Sequence, residues 1–130
     1  MKGLERAMSL LCLVSEQNRA TMTELAEQAD IPTATTHRIL STLLEGKFVD
    51  FDEDNQTWSV GIQAYRVGLA YLSRTSLIEI CQPVLRRLTE KTGETANLAQ
   101  LDDGEVVFIC QVEPQNAIRA SFSAGTRTAL

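Results

Sequence analysis

The residues best equipped for chemistry lie close together, between Thr33 and Glu45. Wound into a helix at about 100° per residue, this stretch turns Thr36, Ile39, Leu40, Leu43 and Leu44 to one side. Ala34, Thr35, Arg38, Ser41 and Thr42 turn to the other, with Thr33 and His37 on the flanks. A face of hydroxyls around one arginine can do recognition chemistry. A guanidinium forks onto the two major-groove acceptors of guanine, and hydroxyls serve base edges and phosphates as donor or acceptor. The free N–H groups at the start of such a helix suit a phosphate as well. An ordinary solvated helix face shows the same residue types, and on these residues alone the two readings weigh equally.

Other chemistries are poorly supplied. His37 is the only histidine, and no cysteine or carboxylate stands at ligand spacing on its helix face, so no metal site is expected. Arg38 could instead pair with Glu45 or Asp30, an exposed ion pair of little energy. The run Asp52, Glu53 and Asp54 is too short and dispersed for a calcium loop and reads as a solvated turn. No glycine-rich phosphate loop, Gly-x-Ser-x-Gly elbow or second histidine is present, and Asp102, Asp103 and Glu113 fall on a turn and a strand end. Neither catalysis nor a cofactor is expected.

The elements around the candidate helix can be read from periodicity. Leu4, Ala7, Met8, Leu11 and Val14, widened by Leu10 and Leu13, make Leu4 to Ser15 an amphipathic helix. Gln17 to Arg19 reads as a loop. A second helix is expected from an N-cap at Thr23 to Ala29, with Glu24 in its first turn. Asp30-Ile31-Pro32 then turns the chain, Asp tolerating a left-handed backbone and Pro ending the helical run. Thr33 caps the third helix, which ends near Gly46. Two helices joined by so short a turn form a helix-turn-helix. Beyond Gly46 the period shortens: Phe48, Val49 and Phe51, then Trp58 and Val60, predict two strands around Asp52 to Gln56, a wing. Gly61 closes this domain.

The rest of the chain is organised differently. Ile62 to Ser73 predicts a helix apolar nearly all round, which must be covered on more than one side. Small residues at Ala64, Gly68 and Ala70 suit the close approach of another helix. Leu77, Ile78, Cys81, Leu85 and Leu88 predict a further amphipathic helix, kinked or restarted at Pro83 and ended by Gly93. Thr95 to Leu101 and Glu105 to Val112 predict a hairpin about Asp102-Asp103-Gly104, and Ile118 to Phe122 a third strand.

Bulk properties bound these readings. The chain has 130 residues, 44% hydrophobic and 22% charged, with no apolar run near the roughly 20 residues that cross a bilayer. Three scattered cysteines in apolar surroundings fit a reduced, cytoplasmic protein that uses them as small hydrophobes. Charge is unevenly placed. Residues 1–62 hold five Lys/Arg against ten Asp/Glu, a net of −5, and residues 63–130 hold seven against seven. Attraction to phosphate must therefore rest on a few well-placed groups.

The order of these motifs resembles the IclR family of bacterial transcriptional regulators. The resemblance runs from Gly3-Leu4-Glu5-Arg6-Ala7 through Thr23-Glu24-Leu25-Ala26 to Pro32 with Thr35-Thr36-His37-Arg38-Ile39-Leu40. It continues in Trp58-Ser59-Val60-Gly61, in Pro83-Val84-Leu85 leading to Thr92-Gly93-Glu94-Thr95, in Asp103-Gly104-Glu105-Val106-Val107 and in Gln111-Val112-Glu113. Each is weak alone; the series in this order and spacing is strong.

The resemblance implies an α+β protein with three parts. These are a winged helix-turn-helix over residues 1–61, an interdomain and dimerising helix over 62–75, and over 76–130 the beginning of a GAF-like α/β effector-binding domain. It implies double-stranded DNA and a small organic metabolite as partners, a homodimer or dimer of dimers, repression or activation of a catabolic operon, and no membrane. Thr35, His37 and Arg38 become recognition-helix residues, and the candidate DNA-facing set is Thr23, Thr33, Thr35, His37, Arg38, Ser41 and Thr42. Ala117 and Ala120 would lie on the apolar side of an effector pocket, their small size leaving room for the ligand. Asp30 stands where a glycine is common, Ala34 where a serine is common, and the wing is unusually acidic. The chain also stops where the family's effector domain has only begun, as a fragment or a truncated product would. A winged helix used for protein contact is the alternative.

Overall fold

The computed structural model describes residues 2–74, 77–114 and 125–130. It is an α+β structure of two compact units, Met1–Tyr71 and Leu72–Leu130.

In the first unit α1 spans Lys2–Ser15, β1 Ala20–Thr21, α2 Met22–Ala29, α3 Thr33–Glu45, β2 Val49–Asp52 and β3 Thr57–Val60. The strands form one antiparallel sheet in the order β1-β3-β2, with Phe51 opposite Trp58 on β2 and β3. The core is drawn from every element: Leu10 and Val14 of α1, Ala20, Leu25, Ile31, Leu40, Val49 and Trp58. The Phe51 and Trp58 rings lie 4.6 Å apart and seal the wing side of this core.

The helix-turn-helix forms where the sequence places it, with corrections at the caps. Thr21, not Thr23, is the N-cap of α2: its hydroxyl accepts from the Glu24 N–H at 3.2 Å, and its own N–H donates to Glu24 Oε1 at 3.0 Å. This reciprocal pair satisfies two helix-start donors at once. Thr33 does not cap α3 either. Pro32 occupies that position, with no side-chain hydrogen bond, and Thr33 is the first helical residue. Asp30 adopts the left-handed conformation expected of it, with φ 54°. The buried line of α1 runs through Leu10 and Val14, while Leu4 and Met8 are more than half exposed. The strand β1 lay within a stretch without strand pattern; its two residues are extended because they pair with Thr57 and Trp58 of β3.

Gly61 joins the wing to α4, Ile62–Arg74. A Cβ there would sit 2.4 Å from the Lys47 carbonyl oxygen, so the close approach of two backbones requires glycine. The Gly61 N–H donates to Phe48 O and the Gln63 N–H to Lys47 O, both at 2.9 Å. The apolar residues of α4 are less covered than their number predicts, Ile62, Tyr65 and Val67 being 58%, 60% and 55% exposed.

The second unit holds α5, Leu77–Thr92, and the strands β4 Ala96–Asp102, β5 Glu105–Val112 and β6 Arg127–Ala129, ordered β4-β5-β6 and antiparallel. The hairpin turns on Asp103 and Gly104 with φ of 51° and 77°, the pair of left-handed residues that suits a two-residue turn. The helix α5 runs unbroken through Pro83 where a kink or restart is expected. Leu85 and Thr89 on that helix are buried, and the Thr89 hydroxyl donates to Val112 O at 3.3 Å, so packing against the sheet outweighs one lost backbone bond. The strand β6 was not anticipated. Arg127 on β6 donates to Asp102 Oδ2 at 2.6 Å and to Glu105 Oε1 at 3.0 Å, tying it to the hairpin. The third strand expected over Ile118 to Phe122 lies outside the described residues, as do Ala117 and Ala120.

Candidate nucleic-acid interface

The helix α3 divides its side chains as its spacing predicts. Thr36 and Leu40 are fully buried, and the Thr36 hydroxyl donates to the Pro32 carbonyl at 3.1 Å, so this threonine is consumed inside the fold. Ile39 and Leu43 are half-buried beside the core. Leu44, placed in the core by its position on the wheel, is 38% exposed and lines an open groove beside Phe51 and Trp58 of the wing. On the opposite face Thr33, Ala34, His37, Arg38 and Thr42 are exposed, and Thr35 and Ser41 are half-buried at its edges.

Most of that face is chemically unengaged. Arg38 makes no ion pair with Glu45 or Asp30 among the described contacts, and its guanidinium is available. The Thr42 hydroxyl differs, donating at 3.1 Å to the carbonyl of Arg38 within its own helix. It can accept a hydrogen bond from an outside group but has its proton committed.

Two grooves flank α3. On the wing side a groove of about 490 Å³ runs between the start of α2, the later turns of α3 and the sheet. Thr21, Thr23, His37, Ser41 and Gln56 are its polar lining, among apolar residues that include Leu44 and Phe51. On the α1 side a groove of about 400 Å³ gathers Thr35, Arg38 and Thr42 of α3 with Arg6 of α1. Six of the seven proposed DNA-facing residues thus fall into two sets on either side of α3: Thr23 with His37 and Ser41 in one groove, Thr35, Arg38 and Thr42 in the other. Thr33 lines neither of the two; it lies in a shallower depression with Asp30 and Pro32.

Gln56 and Arg6 were not singled out in the sequence. Arg6 carries a readable signal, since it lies four residues before Leu10 and eight before Val14, on the line of α1 that becomes buried. Gln56 carries none; it reaches the groove through a left-handed backbone, φ 56°, at the end of the wing turn.

The electrostatics of the wing oppose phosphate. Asp52 builds the turn, accepting from Asn55 Nδ2 at 2.9 Å and from the Asp54 N–H at 3.0 Å. The hydrogen bond from the Asn55 side chain, opposed by desolvation and helped by the Asn55 and Asp54 backbone N–H groups and the charge of Arg19, holds the Asp52 carboxyl below its ordinary value. It therefore stays ionised beside exposed Glu53 and Asp54. Among the described residues no three His, Cys, Asp or Glu side chains could hold a metal ion, and no helix is long and apolar enough to cross a membrane.

A short-turned helix pair with a solvated arginine–hydroxyl face on its second helix, braced by a three-stranded wing, defines a winged helix-turn-helix protein. Residues 3–53 match the IclR helix-turn-helix domain, and residues 69–130 match the bacterial transcriptional regulator IclR C-terminal domain. The chain belongs to the IclR family of bacterial transcriptional regulators. It is 42% identical over 130 residues to the HTH-type transcriptional regulator BhcR of Paracoccus denitrificans, a match that takes in all of this chain and 47% of that protein. To the transcriptional repressor IclR of Escherichia coli it is 38% identical over 128 residues, 96% of this chain and 47% of the repressor. The chain thus spans about half the length of these relatives. Among solved structures, an IclR transcriptional regulator from Alicyclobacillus acidocaldarius superposes with a TM-score of 0.82 at 26% identity, over 99% of this chain and 53% of that one. An IclR homologue from Microbacterium hydrocarbonoxydans, complexed with 4-hydroxybenzoate, shares the fold with a TM-score of 0.83 at 19% identity, over 98% and 53%.

Proposed function

We propose that this chain is the DNA-reading part of a transcriptional regulator, a repressor of a catabolic operon, in which α3 enters the major groove. The observation that carries the reading is the α3 face itself: Arg38 exposed and without an ion pair among the described residues, flanked by Thr35 and Ser41, on the second helix of a helix-turn-helix. Arg38 reads a guanine edge; Thr35, His37 and Ser41 contact neighbouring bases or phosphates; Thr23 and Thr33 contact the backbone; and Thr42, its proton committed, accepts from a base amino group. The units act as a winged helix over residues 1–61, a linking helix over 62–75 and part of an effector domain over 76–130. A second copy of the chain packs on α4, where the exposed Ile62, Tyr65 and Val67 form an apolar surface continuous with the small Ala64 and Gly68. Such a dimer, alone or paired into a dimer of dimers, reads a pseudo-palindrome with half-sites about one helical turn apart. A small organic metabolite, in the chemical class of the 4-hydroxybenzoate held by the Microbacterium homologue, controls it from the second unit.

Fluorescence anisotropy tests the reading, with duplex DNA from upstream of the protein's own gene set against a scrambled duplex across a range of salt. Sequence-dependent binding that weakens as salt rises is the expected result. Equal, negligible binding to both duplexes at low salt would refute it. That outcome, with a dimer that persists by sedimentation, favours a winged helix used for protein contact. The excess of acid in residues 1–62 is the observation on that side.

A further inference from the structure

The charges around α3 are sorted. The α1–α3 groove gathers two guanidiniums from two different helices, Arg6 and Arg38, with the hydroxyls of Thr35 and Thr42, and no carboxylate lines it. Neither guanidinium is ion-paired among the described residues. In so acidic a region this sorting is marked, since the nearby carboxylates, Glu5 on α1 and Glu16 just after its end, line a separate depression with Met8 and Cys12. On the other side of α3 the wing presents Asp50, Asp52, Glu53 and Asp54 within one strand and its turn.

A helix of about 10–12 Å diameter fills a major groove about 12 Å wide, so a sugar–phosphate strand passes along each of its flanks. The α1 flank offers Arg6 to that strand, beside the base-reading Arg38, and the wing flank offers an anionic tip. Resting on the DNA-reading assignment of α3, we infer that the first two turns of α1 form a phosphate-binding element, with Arg6 holding the strand that runs on the side of α3 away from the wing. The occupant is a DNA phosphate for two reasons: the groove is cationic where the surrounding domain is not, and it is continuous with the base-reading face through Arg38. The wing, in this account, braces the core and leaves phosphate neutralisation to α1.

Anisotropy titrations of the full chain test this, with a matched duplex and a scrambled duplex of equal length at several salt concentrations. The proteins compared are the parent, Arg6→Gln and Gly3→Lys. Gly3 lines the same groove, and a Cβ there meets no atom within 4 Å, so the added cation is accommodated without repacking. Arg6→Gln is expected to make the negative slope of log K against log salt shallower by about 0.9 and to weaken both duplexes alike, by on the order of tenfold at low salt. Gly3→Lys is expected to steepen the slope by a similar amount and tighten both. Slopes and affinities at parent values in both variants would overturn the inference. So would a change in the matched-to-scrambled ratio with Arg6→Gln, which would make Arg6 a base reader. A parent that binds neither duplex removes the DNA reading and this inference together; a parent that binds, with indifferent variants, removes this inference alone. If Arg6→Gln melts, Gly3→Lys still decides.

Discussion

In the first unit Leu10, Val14, Leu25, Leu40 and Val49 are completely sealed from solvent, whereas in the second Leu85, at 6%, is the buried apolar side chain among the described residues. Ile80, Val84, Leu88 and Leu101 stay between 45% and 67% exposed there. The winged helix closes a core from six elements of a short chain. The helix and sheet of the second unit, though regular, present apolar surface of the kind that packs against further apolar atoms. The difference teaches where function can be read. A closed core leaves the surface of the first unit free for polar work, so the unengaged Arg38 face stands out as a site. In the second unit the exposed residues are those a core would use.

The contrast can be broken most directly through packing. Leu40→Ala is expected to cost about 2–5 kcal/mol, because the surrounding helices cannot collapse onto the void. Trp58, the only tryptophan, is buried in the same core and reports the transition by fluorescence in urea. Leu85→Ala is expected to leave that transition in place; equal shifts would mean that the two units unfold as one. Next in size, Gly61→Ala is expected to cost about 1–3 kcal/mol, since its methyl group must displace the Lys47 carbonyl. A melting temperature equal to the parent's would show that the wing base is looser than its geometry.

Smaller effects sharpen the picture at the caps. Thr21→Ala is expected to cost about 1 kcal/mol of first-unit stability, and Thr23→Ala much less, which reverses the order that the sequence suggests. The Glu24 carboxyl is held below its ordinary value, first by the Thr21 backbone N–H and then by the Thr21 side chain. Its contribution is therefore present above the ordinary glutamate value and is lost as the pH falls through the lowered one. Urea midpoints of the parent should fall across that acid range, and those of Thr21→Ala should fall less. Smallest of all, Arg127→Ala in the second unit breaks an exposed pair with Asp102 and Glu105, so its effect should be slight and should vanish in high salt.

Much of this was legible in the residues, and the exceptions have physical causes. Helices α1 to α3 and the wing hairpin follow local periods, and Asp30 and Asp103-Gly104 announce their turns through backbone chemistry. The exposed face of α3 follows from the wheel alone, although the wheel does not tell a recognition face from a solvated one. The cap at Thr21 was written as Thr-x-x-Glu, but Thr23 directly before Glu24 masked it. The strands β1 and β6, of two and three residues, are too short to carry a pattern and are extended only because distant strands pair with them. The position of Leu44 depends on where the wing packs, and the meeting of Arg6 with Arg38 on the packing of α1 against α3. A period within one helix encodes neither.

Arg38, at the middle of the α3 face, is the residue proposed to read a base. Selection of bound sequences from a randomised duplex pool, by the parent and by Arg38→Ala side by side, tests it most directly. The parent is expected to enrich a pseudo-palindrome with half-sites about 10 base pairs apart. The variant should lose preference at one symmetry-related position, with about 1–3 kcal/mol less specific binding. Enrichment of the same motif at the same strength by both proteins would contradict the claim.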